Sequence, residues 1–424
     1  MDAPVPPVFI TADVAPVAAR FRESPEDFEV EEVPLYVPSG EGPHLYLRVE
    51  KRGISTHEAA RRLAFKLGRR ERDAGYAGLK DARAVARQWI SLDADGPTLE
   101  AAAAGPEARD ALAARLSDDR VRVLEVSRHR NKLKLGHLRG NRFRLRLRGV
   151  AADGAARARA VLERLAASGA PNFYGEQRFG TRHDTQVLGR ALLAGEAAAV
   201  VGGLLGGDPA PSDGPRVREA RARFRAGDPR GALAALPHAY AAERAALGAL
   251  ARGADDARAV AAIPKRFRAL YVSAYQADLF NRLLADRARA GTIGALEAGD
   301  VAWIHASGAC FVVDDPGVEQ PRAAALEVSP AGPLFGTRLL EARAAPGARE
   351  AAVLAAEGLS LSSFRIPGLD LRGARRPYRI PVADLDVGAL GAEGEGVLVL
   401  SFALPPGCYA TAVIAEVMKP AAGP

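Results

Sequence analysis

The sequence predicts an α+β protein of two domains, one of them split so that the first and last segments of the chain share a sheet. Three observations predict it. A chain of 424 residues, 48% of them hydrophobic, exceeds what one ordinary domain holds. Period-two alternation recurs early, in Phe28-Glu29-Val30-Glu31-Glu32-Val33, Leu45-Tyr46-Leu47-Arg48-Val49 and Arg142-Phe143-Arg144-Leu145-Arg146-Leu147-Arg148, each with one apolar face. A buried strand, Gly396–Leu404, stands near the C-terminus, where a return to the N-terminal sheet is one economical way to pair it.

The remaining elements follow in order. Ser55 with Glu58 three residues on is a capping box, Leu63 and Leu67 share a helical face, and Gly68 ends the run, so a helix is expected near 56–67. Its other face carries Arg61, Arg62, Lys66, Arg69 and Arg70, a groove lining or a solvated surface. A strand from Val85 to Leu92 and a helix from Ala155 to Ala167, closed by Gly169, come next. Pro171–Gly180 mixes aromatic, amide, acidic and guanidinium groups between glycines, which suits an RNA-contacting loop or a packed joint. Residues 208–268 read as short Ala- and Arg-rich helices. A helix over 273–284 with Leu279, Leu283 and Phe280 inward, strands near 300–305 and 309–313, and a final helix over 410–418 complete the chain.

Composition narrows the function. Cys310 and Cys408 cannot build a disulfide framework and no metal-ligand spacing occurs, so a reducing cytoplasm is expected. Residues 1–10 lack the pattern of a secretory signal, and the apolar run 197–207 falls short of the roughly 20 residues of a membrane span. The net charge of +7 is modest, but Arg128–Arg148 holds nine Arg or Lys, two His and no acidic residue. As a strand, Arg142, Arg144, Arg146 and Arg148 would form a row of guanidinium groups, the geometry that matches phosphate oxygens. Nucleic-acid binding is the favoured reading over a charge-protected edge strand, and charge reversal at Arg144 and Arg146 is then expected to weaken RNA binding and its salt dependence.

The chemical candidate is Asp81, in Gly78-Leu79-Lys80-Asp81, with Lys80, Arg83 and Arg87 close in sequence. Neighbouring positive charge favours an ionised carboxylate, and such a carboxylate can act as a nucleophile. An isolated G-x-K-D would more often be a turn in a charged loop; the rest of the chain changes the odds.

Six segments occur in the order of one family: Pro25–Glu32 (Pro-Glu-Asp-Phe-Glu-Val-Glu-Glu), Ala77–Asp81, Gly140–Phe143, Asn172–Gly180, Ser273–Gln276 and Phe402–Thr411. The chain resembles the pseudouridine synthase D family over essentially its whole length. The resemblance implies a mixed, largely antiparallel pseudouridine-synthase sheet domain over 1–170 and 379–424, interrupted by a family-specific α/β insertion over 171–378. It implies conversion of uridine to pseudouridine in tRNA, at uridine 13 in compact bacterial members, with no cofactor, no metal and no obligatory protein partner. Asp81 falls at the position of the catalytic aspartate, Phe28, Asn141 and Phe402 at substrate-contacting positions, and Phe143 at an aromatic beside the target base. Arg22 or Lys80 is expected to balance the Asp81 charge. The middle segment is longer than in compact members.

The reaction needs the base detached, rotated and rejoined inside an enclosed pocket, after being flipped out of its stack. A non-catalytic RNA-binding or chaperone protein would explain the basic run but leave Asp81 idle. A glycosidase or nucleosidase would usually need a second catalytic acid.

Overall fold

The computed structural model describes residues 5–6, 8–390 and 396–419. Two compact units emerge, one of residues 11–170 with the described residues from 380 onward, the other of 171–379 with the described residues up to Ile10. No helix among the described residues is long and apolar enough to cross a membrane.

The first unit is built on a nine-stranded sheet. Its strands from the N-terminal part of the chain are β1 (Arg20–Phe21), β2 (Phe28–Pro34), β3 (His44–Arg52), β4 (Ala74–Tyr76), β5 (Val85–Asp93), β6 (Val121–His129) and β7 (Leu138–Arg148). Strands Ala383–Leu390 and Val397–Leu404 join them, so the C-terminal strand does return to the N-terminal sheet, pairing antiparallel with β7. The order is Ala383–Leu390, Val397–Leu404, β7, β2, β5, β3, β6, and within it only β2 and β5 run parallel. Backbone groups that the C-terminal segment would leave unpaired are thereby satisfied.

Helix α1 (Thr56–Lys66) begins where the capping box puts it, with Ser55 Oγ accepting from Glu58 N at 3.1 Å. Its Ala59, Ala60, Leu63 and Ala64 bury against Leu45, Leu47, Val49, Ile90 and Leu92 of β3 and β5. Each large side chain so buried contributes about 1.5–3 kcal/mol. The basic face of α1 is largely committed: Arg61 and Arg62 pair with Glu58, and Lys66 with Asp118 at 3.2 Å.

Alternation along β7 sends Phe143, Leu145 and Leu147 to the buried face and Arg142, Arg144, Arg146 and Arg148 to the other. On that other face Arg146 and Arg144 meet Glu29 at 2.6 and 3.8 Å, Arg142 meets Asp384 at 3.3 Å, and Arg148 meets Asp27 at 2.7 Å. Neighbouring strands continue the pattern, with Arg87 and Arg122 on Glu50 and Arg48 on Glu31. Sequence shows the cations of this face as one run because its carboxylates come from other strands.

Asp27 closes the short 3₁₀ turn that aims β2, accepting from Glu23 N at 3.0 Å and Ser24 N at 3.1 Å as well as from Arg148. Burial alone would push its carboxyl up; the Arg148 guanidinium and the turn N–H groups outweigh that and hold it below the ordinary value. A group with a depressed folded pKa stabilises above its unfolded value, near 3.9, and loses that contribution as pH falls through the folded one. Asp27→Asn is therefore expected to cost about 2 kcal/mol at pH 7 in urea unfolding, modest because Arg148 stays a third exposed. The difference between parent and variant should vanish in acid; a pH-independent difference would exclude this account.

The second unit pairs a four-stranded sheet with helices. Its helix Lys265–Arg289 runs well beyond the expected 273–284, because burial on several sides at once blurs a single apolar stripe. Residues 208–264 form four helices, Pro215–Arg225, Pro229–Ala235, Ala241–Ala251 and Asp256–Ala262, around Val200, Leu204, Leu205 and Leu247, and the long helix begins at Lys265. The segment after Pro171 is a packed joint within this unit. Asn172 Nδ2 donates to Pro377 O at 2.9 Å, Tyr174 N donates to Asn281 Oδ1 at 2.9 Å, and the Arg376 guanidinium lies 4.2 Å from the Tyr174 ring.

Candidate active site

The site is assembled on the buried face of β2, β7 and Val397–Leu404, where these three strands lie side by side. Register places Val30 opposite Phe143 and Phe143 opposite Phe402. Phe28 meets Phe143 edge to face at 5.9 Å, and Phe143 tilts against Phe402 at 5.6 Å. Such aromatic pairs contribute beyond their area, so the three rings form a stiff floor. Asn141 lies in register with Glu32 and Leu404, and its Oδ1 has no hydrogen-bond partner although the residue is buried. Gly140 lets the strands approach here: a Cβ on it would sit 2.5 Å from Leu404 O.

Asp81 stands at the edge of this floor. Its Oδ2 pairs with Arg22 Nη2 at 2.9 Å, its Oδ1 accepts from Arg83 N at 2.8 Å, and its side chain remains 26% exposed. Arg22 in turn lies over Phe28, 4.5 Å from guanidinium carbon to ring centre, a cation–π contact that ties the carboxylate to the aromatic floor. Arg22 holds a φ of 64°, a left-handed conformation that costs an ordinary residue about 1 kcal/mol. Asp81, Arg22, Phe28, Phe143 and Phe402 thus form one chain of contacts, and Asn141 shares the β7 face with Phe143. Arg142, Arg144 and Arg146 project from the opposite face of β7 to Phe143.

Of the two cations offered as counter-charge, Arg22 takes the role. Lys80 turns inward instead and pairs with Glu32 Oε2 at 2.8 Å, both side chains being nearly inaccessible. Glu32 Oε1 also accepts from Trp89 N at 3.3 Å, so both oxygens of this carboxylate are occupied. Arg87, a few residues further along the chain, lies on the far face with Glu50.

The backbone of the Asp81 loop is gripped from below by residues that sequence reasoning missed. Thr56 Oγ1 accepts from Lys80 N at 2.9 Å and donates to Gln88 Oε1 at 2.9 Å, while Gln88 Nε2 donates to Gly78 O at 3.3 Å. Lys51 Nζ donates to the carbonyls of Asp81 at 2.6 Å and Ile54 at 2.7 Å. Lys51 is fully buried, and burial pushes its ammonium down to about 8, with Asp81 pulling upward and Lys80 pushing further down. A signal existed for it: along β3 it continues the inward series Leu45, Leu47, Val49, where a lysine has no reason to be unless it holds something.

Comparisons with known proteins identify the family. The family model for tRNA pseudouridine synthase D (TruD) matches residues 8–417. The chain belongs to the tRNA pseudouridine synthase D family. A tRNA pseudouridine synthase D of Geobacter sulfurreducens is 47% identical over 413 residues, covering 97% of this chain and 96% of its own. One from Anaeromyxobacter sp. is 42% identical over 418 residues, covering 99% and 96%. A crystal structure of a candidate tRNA pseudouridine synthase D from Methanosarcina mazei aligns with a TM-score of 0.79 at 26% identity, over 97% of this chain and 96% of that one. The synthase is therefore an isomerase acting on tRNA, with the fold of its family.

Proposed function

We propose that the synthase converts uridine 13 of tRNA to pseudouridine, with Asp81 as the nucleophile. Residues 11–170 and those from 380 onward form the catalytic domain, and 171–379 the family insertion. The observation that carries the reading is the Asp81 carboxylate, oriented by Arg22 and Arg83 N and partly open to solvent beside three buried rings.

Isomerisation conserves every atom, so the site must break the C1′–N1 bond, turn the uracil and form a C5–C1′ bond. N1 gains a proton, and C5 loses one. A carboxylate oxygen can attack ribose C1′, expelling the uracil, and be displaced when C5 joins C1′; or it can add to C6 of the base and, after C5 has joined C1′, leave as C5 gives up its proton and the C5–C6 double bond re-forms. The unpaired Oδ1 of Asn141 suits the N3–H of uracil, and its amide N–H groups suit the adjacent carbonyls. Phe28, Phe143 and Phe402 supply the apolar wall that keeps a detached base from diffusing away. The glycosidase reading has no support here, because Glu32, the other carboxylate of the network, is occupied by Lys80 and Trp89 N.

The test uses unmodified tRNA transcripts with uridine or cytidine at position 13, mapped by carbodiimide labelling and primer extension. A stop at position 13 is expected with uridine only. A stop elsewhere would reject the target position, and tight binding with no stop would favour an RNA chaperone.

A further inference from the structure

The cations of this synthase divide into committed and uncommitted sets, and the division does not follow their density in sequence. Arg142, Arg144, Arg146 and Arg148 each meet a carboxylate. A groove of about 230 Å³ beside Arg142 is lined by Glu31, Glu32 and Glu125 as well as by Arg48, a mixed lining that repels phosphate as much as it attracts it. By contrast Arg83, Lys134 and Arg139 are exposed, and among the described residues their side chains make no ion pair.

Arg83 follows Asp81 by two residues, and Lys134 and Arg139 lie in and just after the turn that packs against the Asp81 loop. The turn between β6 and β7 lies along the loop that carries the nucleophile, joined to it by Gly136 N donating to Ala77 O at 2.8 Å. Ala77, Leu133 and Leu138 share one apolar cluster with Tyr46 and Trp89, and a Cβ on Gly75 would come within 2.3 Å of Leu133 O. The two segments are thus packed together. Each exposes a leucine: Leu79, two residues before Asp81, is 62% exposed, and Leu135 is 71% exposed. Two large apolar side chains among uncommitted cations, at the mouth of a site that takes a flipped nucleotide, need a partner that is both anionic and stackable.

We infer that Leu79 and Leu135, with Arg83, Lys134 and Arg139, form the rim that receives the tRNA strand on either side of the target uridine. The inference rests on the proposed function. The cations hold flanking phosphates, and the leucines fill the stacking space the extruded base leaves, as apolar wedges do between base steps. A protein partner seated here would cover Asp81, which makes RNA the occupant.

The experiment compares Lys134→Glu/Arg139→Glu with Arg144→Glu/Arg146→Glu in titrations of unmodified tRNA between about 50 and 200 mM salt. The rim pair is expected to weaken binding by roughly 10-fold or more and to lower the salt slope by about 1–2, at roughly 0.7–0.9 per phosphate lost. The strand pair should leave both nearly unchanged; the reverse result would overturn the assignment. Leu79→Ala/Leu135→Ala is expected to slow single-turnover pseudouridine formation at saturating tRNA at least 10-fold, with binding retained. The defect should shrink on an RNA whose target uridine is already unstacked. An equal defect on both RNAs, or none, would exclude the wedge. Binding of tRNA is read without turnover, so failure of the rim and failure of the uridine reading are separable.

Discussion

Asp81→Asn is expected to bind tRNA as the parent does and to form pseudouridine at least about 10⁴-fold more slowly, the scale on which removing a nucleophile acts. The substitution preserves shape. An amide oxygen can still accept from Arg83 N, and the grip of Lys51, Thr56 and Gln88 falls on main-chain atoms that do not change. What is lost is the charge facing Arg22 and, in the proposed mechanism, the attacking carboxylate. The freed guanidinium would, if anything, attract phosphate, so weakened binding is not anticipated. Enzyme in excess over tRNA, quenched over time and mapped, gives the rate directly. A variant within about 100-fold of the parent would reject Asp81 as nucleophile.

Arg22→Met should have the next largest effect, lowering kcat by about 10²–10³ with little change in KM. Arg22 joins the Phe28 ring to the Asp81 carboxylate, so its removal leaves the carboxylate oriented by Arg83 N alone. A displacement of about 1 Å in a reacting group is enough for a 10²-fold loss. Arg22→Lys should recover only part, because an ammonium supplies charge without the planar stacking. Stability should fall by only about 1–2 kcal/mol, the sum of one part-exposed ion pair and one cation–π contact. A fall in kcat with a much larger loss of stability would mark Arg22 as a fold residue. Unchanged kcat would remove it from the site.

The different fates of Arg22 and Lys80 show where sequence reading reaches its limit. Asp81 could be singled out because its motif is local, and the family order of six segments placed Phe28, Asn141, Phe143 and Phe402 beside it before any strand was paired. Arg22 and Lys80 could not be ranked, since Lys80 adjoins Asp81 while nothing in the linear sequence says how near Arg22 comes to it. The fold ranks them: Lys80 finds Glu32, 48 residues earlier in the chain, while a left-handed backbone at Arg22 turns its guanidinium onto Phe28 and Asp81. Lys51 was marked in sequence only by its inward place on β3; its partners are main-chain carbonyls, which have no signature there.

The amino-acid sequence by itself determined the alternating faces of β2, β3 and β7, the capped start of α1, the existence of a late strand in need of a partner, and the identity of the family. These depend on periodicity, capping and short motifs, all encoded within a few neighbouring residues. Only the tertiary structure decided which cations are neutralised. Ion pairing depends on distances between strands: Glu29 of β2 reaches Arg144 and Arg146 of β7 across the sheet, whereas Lys134 and Arg139, within the same basic run, meet no carboxylate among the described residues.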